Sequence, residues 1–165
     1  MTLNMPLPRH VIPCLNWHVQ YVCDHLRDEE RVEYVALRHA EYDPERCAAW
    51  INALGGVRFA VSGRSGMPCA VGGYVMTAPG VMESWMLGTQ KGWIERGRVL
   101  TRASRWLIES LLAGGARRLE TQVLASRAMA REWYERSLGL QLEGIRRCAG
   151  AAGEDVALYA RVREG

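Results

Sequence analysis

Lysine is almost missing: of 21 basic residues 20 are Arg, and Lys91 stands alone. A Schiff-base or phosphate-loop lysine mechanism would therefore rest on one side chain. Phenylalanine occurs once, as Phe59, against six Trp and six Tyr. No run of about 18 apolar residues exists, so no membrane span is expected. The first residues, MTLNMPLPRHVIPC, lack a basic start followed by an apolar stretch, so no secretory signal is expected. The five cysteines (14, 23, 47, 69 and 148) are odd in number and contain no C-x-x-C pair. Reduced thiols and a cytoplasmic setting are expected. The four His all fall in the first quarter. His10, Cys14, His18, Cys23 and His25 look superficially like metal ligands. Pro13 would break a helix that put 10, 14 and 18 on one face, and the spacing misses the paired zinc pattern, so no metal is expected.

What remains is the composition of one folded domain over 1–165, with 1–16 as an N-terminal arm. The chain is 48% apolar and 24% charged, with a net charge of +3. Trp17 to Val22 (WHVQYV) alternates loosely and predicts a first strand. Asp28, with Glu29 and Glu30 behind it, predicts the capped start of a helix over 28–40. Asp43-Pro44-Glu45 predicts a second, stopped at Gly55-Gly56. The period then changes. Strands at 57–61, 69–77 and 81–87, joined by Gly63-Arg64-Ser65-Gly66 and Ala78-Pro79-Gly80, predict an antiparallel meander. TQKGWIERG reads as irregular. A helix is predicted from about Arg98 to Gly114, then a strand over 117–124. A helix capped by Ser126 and ended by Gly139 follows, and strands at 142–147 and 156–162 close the chain. The strand–helix–strand step from 81–87 to 117–124 predicts a parallel pair, which needs a crossover of that length.

This order, the segment AREWYERSLGL from Ala130 to Leu140, and the basic helix start after the central strand together resemble the GCN5-related N-acetyltransferase (GNAT) superfamily. The resemblance covers about 17–163. It implies an α+β fold: a mixed, mostly antiparallel sheet of about six or seven strands, flanked by four helices, with the parallel pair splayed at the centre. It also implies acetyl-CoA as co-substrate, no metal, direct acetyl transfer to an amine, and a cofactor site between the parting strands.

The resemblance places the cofactor on the backbone N–H groups of Met86, Leu87 and Gly88 and on the helix start Arg98, Thr101, Arg102 and Ala103, with Ser126 nearby; Arg96-Gly97-Arg98 offers a different cradle for the phosphates. Arg98-Val-Leu-Thr101-Arg-Ala103 matches the family's phosphate pattern except that Thr101 replaces a glycine. The charge pattern supports an anion site there. Residues 91–131 carry nine bases and three acids, whereas 1–45 carry four bases and eight acids. Free N–H groups at a helix start attract phosphate. Tyr134 takes the family position of the acid that protonates the leaving thiolate. Glu83, the one acid between Arg46 and Glu95, is the candidate base. Packing alone also explains Tyr134, and Glu83 could simply face solvent. The alternative function is a GNAT-like phage protein without catalysis, an internal virion or assembly component. A homodimer or a phage assembly partner is compatible with either. A nucleic-acid partner is not expected, since no aromatic–basic interleaving or recognised motif accompanies the charge.

Overall fold

The computed structural model describes residues 6–163; residues 1–5 of the expected arm fall outside that range. The chain runs β1 (Val11–Pro13), α1 (Asn16–Asp24), α2 (Asp28–Arg38), α3 (Pro44–Ala53), β2 (Val57–Ser62), β3 (Pro68–Ala78) and β4 (Val81–Gly88). It continues with α4 (Gln90–Ala113), β5 (Arg118–Leu124), α5 (Ala128–Glu132), β6 (Gln141–Arg146) and β7 (Val156–Val162). α5 passes directly into a π-helical turn, Trp133–Ser137. The seven strands form one sheet in the order β1-β2-β3-β4-β5-β7-β6. β4 and β5 are parallel, and the other neighbours are antiparallel.

Four local expectations are corrected. Trp17–Val22 is not a strand but lies in α1; the strand that opens the sheet is β1, inside the expected arm. Val19, Val22 and Cys23 are fully buried, which is the spacing of a helix face. A six-residue window holding that stripe also alternates, so the period alone could not separate the two. Pro13 ends β1 on the edge of the sheet, where a missing N–H costs no ladder bond. His18 closes the start of α1 by accepting the Leu15 N–H on Nδ1 at 2.9 Å.

The second correction is TQKGWIERG, which is helical. Thr89 caps α4 by accepting the Gly92 N–H at 3.0 Å; α4 is two helices meeting at a kink, where Arg96 (φ −131°, ψ 15°) is non-helical and the stretch to Ala113 begins anew. With α1 in place of the expected first strand, five α-helices stand where four were expected. Third, Ser126 caps nothing. It is exposed, and the position before α5 is Arg127, without a side-chain cap. Likewise Arg27, not Asp28, occupies the cap of α2, which puts Asp28, Glu29 and Glu30 in its first turn. Asp43 behaves as expected and accepts the Arg46 N–H at 2.7 Å.

The two faces of the sheet carry separate cores. α4 packs Leu100, Ala103, Leu107 and Leu111 against Val61, Leu119 and Tyr159. α1 and α3 pack Val19, Val22, Cys47 and Ile51 against Ala60 and Val71 on the other side. Each fully buried Leu or Val contributes roughly 1.5–3 kcal/mol. The sheet is thereby clamped from both sides, and the gap between β4 and β5 is left at its centre.

No helix among the described residues is long and apolar enough to cross a membrane. The five cysteines are free.

Candidate functional site

β4 and β5 pair only at Val81↔Arg118, Met82↔Leu119 and Glu83↔Glu120, and then part. The register of β4 on β3 decides what faces the gap. Thr89 donates its N–H to Cys69 of β3, and Leu87 and Trp85 stand opposite Val71 and Gly73. Alternation turns the backbone groups of Ser84, Met86 and Gly88 the other way, toward β5. A cleft of about 270 Å³ runs through this opening from α2 and α3 to α4 and the π turn.

α2 closes one end of the opening. Glu30 is 6% exposed, and its Oε2 accepts the Gly88 N–H at 2.6 Å. Its Oε1 accepts the Trp93 indole N–H at 3.1 Å, and Arg27 lies 3.9 Å away. One turn later Glu33 accepts the Leu124 N–H at 3.0 Å and pairs with Arg127. Two carboxylates three residues apart share one face of a helix. Here each reaches a different arm of the splay, one the end of β4 and the other the end of β5. Burial raises the Glu30 carboxyl to about 7, against the opposing pull of the Gly88 and Trp93 hydrogen bonds and the Arg27 charge. Burial raises Glu33 as well, again opposed by Arg127. Neither Glu30 nor Glu33 was singled out from sequence. In the first two turns of a helix they read as dipole-stabilising surface acids, and only the packing of α2 across the splay reveals them.

Of the predicted catalytic pair, both line the cleft. The Tyr134 hydroxyl is hydrogen-bonded to the buried Thr121 hydroxyl, and burial together with the nearby Glu33 and Glu30 charges pushes its pKa up. It stays protonated, as an acid would need to be. Glu83 Oε1 accepts from Gln122 Nε2 at 3.1 Å, across the gap from β5.

The predicted cofactor residues are brought together only in part. Met86 has its backbone free of a β5 partner and would suit an acyl chain. Gly88 does not, because Glu30 holds its N–H and the Arg27 N–H donates to its carbonyl at 3.2 Å. Leu87 turns its backbone toward β3. Two helices meet at the kink at Arg96, so the second starts at Gly97, beside the expected start at Arg98. Counted from the kink at Arg96, Gly97 and Arg98 fall in the first helical turn, where N–H groups have no partner within the helix, while Thr101 to Ala103 lie past it. Thr101 donates its hydroxyl to the Gly97 carbonyl at 3.0 Å and accepts the Trp133 indole N–H at 2.9 Å. Trp133 also meets Trp93 edge-to-face, with ring centroids 5.4 Å apart. These contacts tie α4 to the π turn. Ala103 is fully buried in the core. A Cβ built on Gly97 would meet nothing within 4 Å, so the space beside that glycine is open. Arg98, Thr101, Arg102 and Arg105 line a shallow outer hollow of about 320 Å³. Arg96, Gly97 and Arg98 thus stand at a helix start, with Arg98, Thr101 and Arg102 on one basic hollow. Among the described residues no group of three or more His, Cys, Asp and Glu could hold a metal ion.

No protein-family model matches the chain, and no curated protein matches it in sequence. Solved structures do match in fold. A GCN5-related N-acetyltransferase from Brucella melitensis superposes with a TM-score of 0.70 at 16% identity, covering 99% of this chain and 80% of that one. A GNAT superfamily phosphinothricin acetyltransferase from Sinorhizobium meliloti, solved in complex with AcCoA, gives 0.73 at 13% identity, covering 93% and 87%. The ribosomal-protein-S18-alanine N-acetyltransferase from Escherichia coli gives 0.69 at 16%, covering 94% of each. The chain has the fold of the GNAT acetyltransferases, with the expected parallel pair at the centre of a mostly antiparallel sheet.

Proposed function

We propose that the chain is a non-catalytic GNAT-fold protein, a binding or assembly component whose cleft works without acyl-CoA. One observation carries the reading: Glu30 occupies the Gly88 N–H that an acyl-CoA would be expected to use. A cofactor would have to displace a charge-assisted hydrogen bond worth about 1.5–3 kcal/mol. It would also leave a buried carboxylate without that partner, which adds to the cost. The test is thermal unfolding with millimolar acetyl-CoA or CoA. The expected result is an unchanged Tm, whereas a ligand at about 100 times its Kd would add about 2.7 kcal/mol of stability. A rise in Tm that is lost in Arg98→Ala would overturn the reading.

A second reading is favoured by the protonated Tyr134 hydroxyl beside Thr121. It is an N-acetyltransferase with Tyr134 as acid, Glu83 as base, acetyl-CoA as donor and an amine as acceptor. It requires α2 to withdraw Glu30 from β4. Acetyl-CoA consumption that falls in Tyr134→Phe while cofactor binding persists would establish it.

A further inference from the structure

α2 is fastened to the sheet by polar contacts more than by apolar burial. Glu30 and Ala36 are the residues it buries. By contrast α1 buries Val19, Val22 and Cys23, and α3 buries Cys47, Ala48 and Ile51. Val32 and Val35, on the side of α2 away from the cleft, stay 60% and 36% exposed. The fastenings run along the other side. At the end of β4, the Arg27 N–H donates to the Gly88 carbonyl at 3.2 Å, and Glu30 accepts the Gly88 N–H at 2.6 Å. At the end of β5, Glu33 accepts the Leu124 N–H at 3.0 Å and pairs with Arg127. Between β6 and β7, the Ala151 N–H donates to the Ala36 carbonyl at 2.9 Å, and His39 Nε2 lies 3.2 Å from the Ala149 carbonyl oxygen.

Such an attachment can come undone. When a helix lifts, its hydrogen bonds are exchanged for bonds to water, whereas lost apolar burial is not recovered. The docked helix also carries costs that lifting relieves. Glu30 and Glu33 hold two carboxylates away from water, and the Nε atoms of Arg27 and Arg31 are buried without a hydrogen-bond partner among the described residues. Segments with few buried apolar contacts open before the rest of a fold. Lifting α2 would free the Gly88 and Leu124 N–H groups, the Trp93 indole N–H and Arg127. These donors would then line both arms of the splay, where the carbonyls of an extended chain could satisfy them. None of the fastenings involves Arg98, Thr101 or Arg102, so the basic hollow stays open beside the closed helix.

We propose that α2 is an autoinhibitory strap: Glu30 and Glu33 stand in for the acceptor groups of an acyl-CoA chain, and the site opens when α2 lifts from both strands. The inference rests on the reading above that the chain as it stands takes up no acyl-CoA, and it assigns that block to one reversible contact.

Amide hydrogen exchange of the unaltered chain, followed by NMR, tests the strap without any variant. The amides of α2, Gly88 and Leu124 should exchange together, at least about tenfold faster than those of Leu107 and Leu111 in the core of α4. Isothermal titration with acetyl-CoA tests what the strap covers. Glu30→Ala and Glu33→Ala each undo one fastening, and each should bind acetyl-CoA at least about tenfold more tightly than the unaltered chain. Exchange of α2 only through global unfolding overturns the proposal whether or not the variants fold. Folded variants that bind no more tightly than the unaltered chain overturn it too. The two readings fail separately. No binding by any chain removes the strap and keeps the non-catalytic reading. Binding by the unaltered chain that tightens in the variants keeps the strap and removes that reading.

Discussion

Replacing Glu30 by Gln tests whether the α2 clamp is a real electrostatic feature of the fold. The Glu30 carboxyl sits at about 7 in the folded chain against an ordinary 4.5. That gap is worth about 3 kcal/mol, at 1.36 kcal/mol for each step of one in pKa. The folded state holds the proton more tightly than the unfolded one. The stabilisation is therefore complete below about pH 4.5, declines as pH rises, and is lost above about pH 7. Gln cannot ionise, so its stability carries no such slope at this position. Gln also introduces a fixed cost. Its carbonyl can accept the Gly88 N–H, but its amide N–H group then faces the Trp93 indole N–H, donor against donor. That offset is about 1–3 kcal/mol at every pH. Urea unfolding followed by Trp fluorescence gives both stabilities. The unaltered chain should exceed Glu30→Gln most at acidic pH, and the difference should shrink by about 3 kcal/mol by pH 8 or so. Contributions of Glu33 and His18 are present in both chains and cancel in that difference. A difference that stays constant across this range would refute the buried, bridging position of Glu30.

Three further substitutions have directions set by the geometry. Gly92→Ala should destabilise by about 2–3 kcal/mol in chemical denaturation, because its Cβ would lie 2.2 Å from the Cys69 carbonyl oxygen; a gain would show that α4 starts elsewhere. Gly97→Ala should stabilise by up to about 1 kcal/mol, since the added Cβ meets nothing within 4 Å and helix propensity favours Ala. Loss of stability there would point to a constraint on the bend at Arg96. Tyr134→Phe should cost about 1–2 kcal/mol, because it leaves the Thr121 hydroxyl, 6% exposed, without its partner; equal urea midpoints would mean that the hydrogen bond contributes nothing.

Much of the frame can be read from local chemistry. The Asp43-Pro44 start, the meander turns and the crossover to β5 are encoded by residues adjacent in the chain, so their signals survive without tertiary context. Two stretches mislead for the opposite reason. α1 is too short for its period to be distinguished from alternation. The start of α4, with two glycines and little apolar stripe, is held in place by contacts from β3 and from the Trp93–Glu30 bond. The basic surplus over 91–131 is visible in the sequence. Its placement is not: Arg98, Arg102 and Arg105 turn to an outer hollow, while Ala103 enters the core.

By itself the sequence determined an α+β domain and its strand order along the chain, whereas the approach of Tyr134 and Glu83 to one central opening was implied by the family resemblance. The sequence did so because hydrophobic period, caps and turns act over a few residues. Only the tertiary structure decided what that opening can hold. Glu30 and Glu33 lie 58 and 91 residues in sequence from the Gly88 and Leu124 amides they occupy. No local pattern specifies hydrogen bonds across such separations; they exist because α2 is packed across two strands that have stopped pairing.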